Sequence, residues 1–132
     1  MMSISKFTPD DATWIRFGDA GVYIGNVLHE KNSTSMGGGF ACFLPQSAMT
    51  WTPSYDEVIV VQSGEFTVDS ESGSTTAGPG ELVWVKASIP VTFRAGREKT
   101  WIAFATHPIW DSTPESRAQT AALQPVDGPP SD

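Results

Sequence analysis

The chain has 132 residues, five tryptophans, a single cysteine and a formal charge of −7. That length suits one domain with one core, and a chain of this size buries roughly two thirds of its unfolded surface without cross-links. One cysteine, Cys42, excludes an internal disulfide, and the lack of any Lys/Arg cluster makes nucleic acid and anionic membranes poor partners.

In chain order, most of the sequence reads as short β-strands separated by Gly, Pro, Ser and Asn clusters. Ala12 to Phe17 is a first apolar run, and Gly21 to Leu28 a second, rich in Val22, Tyr23, Ile24 and Val27. Gly38 to Leu44 follows a glycine-rich entry at Met36–Gly39, with Cys42 expected as a small apolar core residue. Glu57 to Gln62 is nearly all β-branched, and Ser63-Gly64 predicts a two-residue hairpin into Glu65 to Val68. Gly78-Pro79-Gly80 is a turn leading into Glu81 to Lys86, and Val91 to Arg94 and Thr100 to Thr106 complete the strands. Ser112-Thr113-Pro114-Glu115 has the cap, first-turn proline and acidic residue of a helix start, predicting a short helix that runs through Ala118 to Leu123. Gln124 to Asp132, with three prolines, reads as a flexible tail beyond a single domain over 1–123. Strands spaced about 8–12 residues apart with turn signals between them indicate an all-β sandwich or barrel.

The segment Trp51–Gly64 carries a recognisable frame. Glu57 is followed by six residues and then Gly64. Gly80 is followed by five residues and then Lys86-Ala-Ser88-Ile-Pro-Val91. These resemble the two motifs of the cupin superfamily, in which two histidines and a glutamate of the first motif and one histidine of the second hold a metal. Here Trp51 and Pro53 stand at the two first-motif histidine positions and Val91 at the second-motif one. Lys86 replaces the motif proline and Ser88 the motif glycine. Of four ligand positions, only Glu57 has a metal-binding side chain.

Within the superfamily, Ser35–Phe40, Trp51-Thr52, Tyr55-Asp56-Glu57, Ser63-Gly64-Glu65, Gly78-Pro79-Gly80-Glu81 and His107-Pro108-Ile-Trp110 resemble the cupin domain of the ethanolamine-utilisation family EutQ. The resemblance covers about residues 33 to 111. It implies a small antiparallel barrel of the double-stranded β-helix or jelly-roll kind, commonly dimeric, with a carboxylate pocket in place of a three-histidine centre. The family has been connected with acetate kinase activity. This chain has no Gly-x-x-x-x-Gly-Lys-Ser/Thr loop, and Gly37-Gly38-Gly39 is followed by no lysine, so that label is not carried over.

Period-two alternation sets which residues share a face. If Glu57 points inward, so do Tyr55, Ile59 and Val61 and, upstream, Trp51 and Pro53, while Asp56 and Val58 point outward. Glu57 and Tyr55 are therefore the candidate acid/base pair, with Tyr55 as hydrogen-bonding partner of the carboxylate. Trp51, Tyr55, Glu57, Trp84 and His107 are the candidate ligand-binding residues. Lys86 reads as a solvated side chain. The leading expectation is a cytoplasmic, homodimeric, EutQ-like cupin that binds a small organic molecule, with no cofactor and no metal. Two alternatives stand beside it. One is a metalloenzyme (lyase, isomerase or dioxygenase) with ligands rearranged among Glu57, His107, His29 and Cys42. The other is a non-enzymatic dimerising or sensing module.

Overall fold

A computed structural model describes residues 4–33, 35–110 and 123–131. The strands are β1 (Thr13–Phe17), β2 (Val22–Leu28), β3 (Gly37–Phe43), β4 (Ala48–Trp51), β5 (Asp56–Ser63) and β6 (Phe66–Ser70). They continue as β7 (Gly73–Ala77), β8 (Leu82–Val85), β9 (Val91–Ala95), β10 (Thr100–His107) and β11 (Leu123–Val126). A single 3₁₀ turn, Pro9–Asp11, is the one helical element among the described residues, and no helix there is long and apolar enough to cross a membrane.

The strands form two antiparallel sheets that face each other as a jelly-roll sandwich. One has seven strands in the order β11-β1-β2-β3-β10-β5-β8, and the other four in the order β4-β9-β6-β7. The all-β expectation holds. The interior is filled by alternate residues of both sheets, including Val22, Phe43, Ile59, Val61, Phe66 and Phe93. Phe43 and Phe66 meet edge-on across the sheets with centroids 5.2 Å apart, and Phe66 stacks on Phe93 at 5.7 Å. Each such fully buried ring contributes on the order of 1.5–3 kcal/mol relative to exposure. A second apolar cluster covers the outer face of the large sheet, where Trp14, Tyr23 and Cys42 pack with Trp101. Cys42 is indeed buried, but in this outer layer. Trp14 meets Trp101 edge-on and donates its indole N–H to the Pro9 carbonyl at 3.1 Å, which ties the 3₁₀ turn over the cluster.

Three sequence expectations need correction or completion. Ser63-Gly64 is not a hairpin: β5 pairs with β10 and β8, while β6 lies in the other sheet with β7 and β9. Gly64, at φ 85°, carries the chain from sheet to sheet, and a Cβ there would strike the Thr100 hydroxyl. The two-residue hairpin lies at Glu71-Ser72, between Ser70 and Gly73. Residues 124–126 are not a free tail, because Leu123–Val126 pairs with Trp14–Phe17 as the edge strand β11. Pro125 is tolerated there because an edge strand leaves one row of its N–H groups unpaired. The expected helix over 112–123 lies outside the described residues, apart from Leu123 in β11.

Two backbone positions shape the site end of the domain. A Cβ on Gly39 would collide with the Gly25 carbonyl oxygen, so glycine lets β3 close on β2 beside the bulge at Asn26–Leu28. Ser88, at φ 72°, adopts the left-handed conformation that the family's motif glycine serves. Its N–H donates to the Pro53 carbonyl at 2.6 Å, and the neighbouring Ala87 N–H donates to Asp56 Oδ1 at 2.9 Å. The two bonds clamp the β8–β9 loop onto the approach to β5. Ser88→Gly keeps the backbone bond and relieves the Cβ penalty, so it is expected to stabilise by about 1 kcal/mol, a rise in Tm of roughly 2–5 °C by calorimetry.

Candidate functional site

The approach to β5 alternates as its sequence predicts. Trp51, Pro53, Tyr55, Glu57, Ile59 and Val61 are buried, while Thr52, Asp56 and Val60 are exposed. The inward row brings Trp51, Tyr55, Glu57 and Ile59 to one interior cavity of about 40 Å³. Its remaining walls come from both sheets: Ile24, Ala41, Ile102 and Phe104 on one side, and Met49, Phe66 and Phe93 on the other. That is room for a few waters, or a ligand of a few non-hydrogen atoms.

Cross-strand pairing sets what lies beside Glu57. Val85 of β8 is directly opposite on one side and Thr106 of β10 on the other. Opposed residues of an antiparallel pair share a face, so the Thr106 hydroxyl and the Glu57 carboxyl both point inward. Both side chains are buried, and Glu57 Oε1 and Thr106 Oγ1 have no hydrogen-bond partner among the described residues. Burial pushes the Glu57 carboxyl up from 4.5 to about 8, because the loss of water penalises its charged form. That disfavours the ionised form by about 5 kcal/mol relative to a solvated carboxyl. At neutral pH the group is predominantly a neutral acid that can donate a proton.

The aromatic walls are held by specific bonds. Trp51 donates its indole N–H to the Tyr55 hydroxyl at 2.6 Å. Trp110, beyond β10, donates its own to Asn26 Oδ1 at 2.6 Å and lies 5.8 Å from Trp51 at a 59° tilt. Phe17 abuts Trp51 edge-on at 5.9 Å. The indole N–H groups of Trp51 and Trp110 are thus both bonded, and the rings contribute hydrocarbon surface to the cavity.

Of the sequence-predicted site residues, Trp51, Tyr55 and Glu57 meet at the cavity. Tyr55 does not serve Glu57 Oε1 as expected; its hydroxyl accepts from Trp51. Trp84 does not line the cavity: it opposes Val58, on the outward parity of β8, and is 61% exposed. His107 is likewise outside. It falls one residue past the inward Thr106, is exposed, and its Nδ1 is hydrogen-bonded with the Ser35 carbonyl at 2.9 Å. Lys86 is exposed, as expected. The sequence reading missed Thr106, Phe104 and Trp110. Their one signal is the parity of β10 and the closing Pro-x-Trp, and neither says which residue they face.

The superfamily's metal does not fit this donor set. Trp51, Pro53 and Val91 supply no ligand atom, and Glu57 alone cannot make the three or four bonds a transition metal requires. The rearranged set does not converge either. Cys42 lies in the outer cluster, His29 Nδ1 accepts from the Lys31 N–H at 3.2 Å, and His107 is outside. Among the described residues no three His, Cys, Asp or Glu side chains form a metal-sized group.

Comparison with known proteins agrees with this architecture. A structural-genomics protein of unknown function from Rhizobium leguminosarum bv. viciae 3841 superposes with a TM-score of 0.68 at 28% identity, over 81% of this chain and 99% of that one. The EutQ protein of Clostridium difficile gives 0.65 at 21% identity, over 85% of this chain and 82% of that one. An ethanolamine utilization protein Q from Salmonella typhimurium LT2 gives 0.61 at 22%, over 68% and 75%. No curated protein matches the chain. The sequence profile described as ethanolamine utilisation protein EutQ matches residues 18–112, nearly the whole two-sheet domain, and the chain belongs to that family of cupins.

Proposed function

We propose that this protein binds a small organic molecule in the cavity between its sheets, with the polar end of the ligand at Glu57 and Thr106 and its apolar part against Trp51 and Trp110. The observation that carries this reading is the pair of inward polar atoms, Glu57 Oε1 and Thr106 Oγ1, buried on adjacent strands without a partner among the described residues. A buried unpartnered polar group costs on the order of 1–3 kcal/mol. A fold that served only to pack would gain by replacing both with apolar residues, whereas a ligand or water that bonds them recovers the cost. If a reaction follows binding, Glu57 is its acid/base group, because a carboxyl near pH 8 can give or take a proton under neutral conditions. A ligand of about four non-hydrogen atoms gains at most about 6 kcal/mol, so dissociation constants of tens of micromolar or weaker are expected.

The reading includes a homodimer. Support comes from Val60, Leu82 and Trp84, which form an exposed apolar strip on the outer face of the edge strand β8 and its neighbour β5. Leu82→Lys is expected to shift the protein to monomer in light scattering.

A thermal-shift screen of small metabolites against the wild type and Thr106→Val tests the binding reading. Thr106→Val is expected to leave stability unchanged or raise it by about 1 kcal/mol, since it removes an unpartnered hydroxyl, while weakening any ligand found. A variant that is clearly less stable without ligand and binds normally contradicts the role given to Thr106.

The raised carboxyl also sets a pH dependence. The unfolded chain ionises Glu57 near 4.5 and the folded chain near 8, so between these values the folded state holds more protons. Stability is therefore expected to fall as pH rises through that window, by up to about 1.4 kcal/mol per pH unit from this group, and to level off above it. Glu57→Gln is expected to abolish that slope and to melt above the wild type at pH 8, as read by urea titrations across the window.

A further inference from the structure

What faces Glu57 decides the charge of the molecule the cavity takes. Glu57 is the one carboxyl among the described lining residues, and Tyr55 the one phenol. No Lys, Arg or His is among them. On its own sheet Glu57 is flanked by Val85 and Thr106, and across the cavity stand Met49, Phe66 and Phe93. Among the described lining residues there is thus no counter-charge to the carboxylate.

What the lining does supply is rings. Trp51 and Trp110 lie against each other with centroids 5.8 Å apart at a 59° tilt, and Tyr55 and Phe104 also line the cavity. Their faces carry the negative side of the ring quadrupole, which attracts a cation most strongly where water is excluded. An anion would meet a carboxyl and π-faces with no donor of positive charge. A neutral molecule would gain one or two hydrogen bonds but leave the field of the rings unused. An ammonium group meets both features, since it offers N–H donors to Glu57 and positive C–H surface to the indoles.

We infer that the cavity binds a small organic ammonium, its nitrogen on the Glu57 carboxylate and its carbon part against the aromatic lining of Trp51 and Trp110. This inference rests on the ligand-binding reading above and adds to it the charge class of the ligand. It also fixes a proton balance. Free Glu57 holds its proton at neutral pH, whereas the complex contains one carboxylic proton fewer, so binding of an ammonium releases that proton to the buffer.

Ethylammonium, ethanol and formate are matched in non-hydrogen atom count and differ in charge, and all are small enough for the cavity. They are titrated against the whole chain at constant ionic strength, by thermal shift and by calorimetry in buffers of different ionisation enthalpy. The expected result is that ethylammonium chloride binds at least roughly tenfold more tightly than ethanol, with nearly one proton released per ligand, and that sodium formate gives no shift. In Glu57→Gln, with folding confirmed by circular dichroism, ethylammonium loses its roughly tenfold advantage over ethanol. The proton count is read on the wild type, so it decides the matter even where the variant fails to fold. Ethanol binding as tightly as ethylammonium, an ammonium preference that survives Glu57→Gln, or binding without proton release would each overturn the inference and leave the ligand-binding reading intact. A silent cavity towards these probes and towards the metabolite screen alike would overturn both.

Discussion

A carboxyl group taken out of water, with no positive charge among the described residues that line its cavity, is the constraint around which this domain is arranged. Glu57 is placed there by strand geometry: β10 lies between β3 and β5, and register with β8 and β10 forces its side chain inward between Val85 and Thr106. The domain accepts the charge problem by keeping the group protonated, since burial moves its ionisation from 4.5 to about 8. The same low-dielectric surroundings that make the ionised carboxyl costly also make it a strong recognition element for any ligand that supplies the missing partner.

The family resemblance becomes more specific in this light. Replacing histidines with Trp51, Pro53 and Val91 does not leave a gap where a metal would sit. It fills the ligand positions with buried hydrocarbon, so the lone glutamate faces aromatic walls. Ser88 shows how far the backbone frame outlasts the side-chain chemistry. It keeps the left-handed turn of the motif glycine at the cost of a Cβ, and through Pro53 it still holds the β8–β9 loop beside β5. The Ser88–Pro53 and Ala87–Asp56 bonds hold that loop beside the start of β5, the strand that carries Glu57.

Much of the site was legible because a strand has a period of two. Burial from Trp51 to Val61 alternates residue by residue, and the sequence alone places Trp51, Tyr55 and Glu57 on one face. What it does not contain is register between strands. Trp84 and His107 are one residue off the inward parity of β8 and β10, and only pairing with Val58 and Asp56 reveals this. Thr106 and Trp110 were missed for the same reason. The hairpin error at Ser63-Gly64 has a related cause: Gly64 signals a sharp turn, but which sheet receives the next strand depends on Phe66 packing against Phe43 and Phe93. The short strands β4 and β7 and the proline-containing β11 carry weak local signals and are fixed by their partners β9, β6 and β1.

The central claim is that Glu57 sits folded into an apolar interior as a neutral acid poised to take a partner. Carbon-13 NMR of the side-chain carboxyl carbon, assigned by comparison with Glu57→Gln and followed through a pH titration, measures this directly. The account predicts a single resonance that titrates with a midpoint near 8, far above those of the surface glutamates. A midpoint near 4.5 would mean that Glu57 is solvated or already paired, and would contradict the account at its root.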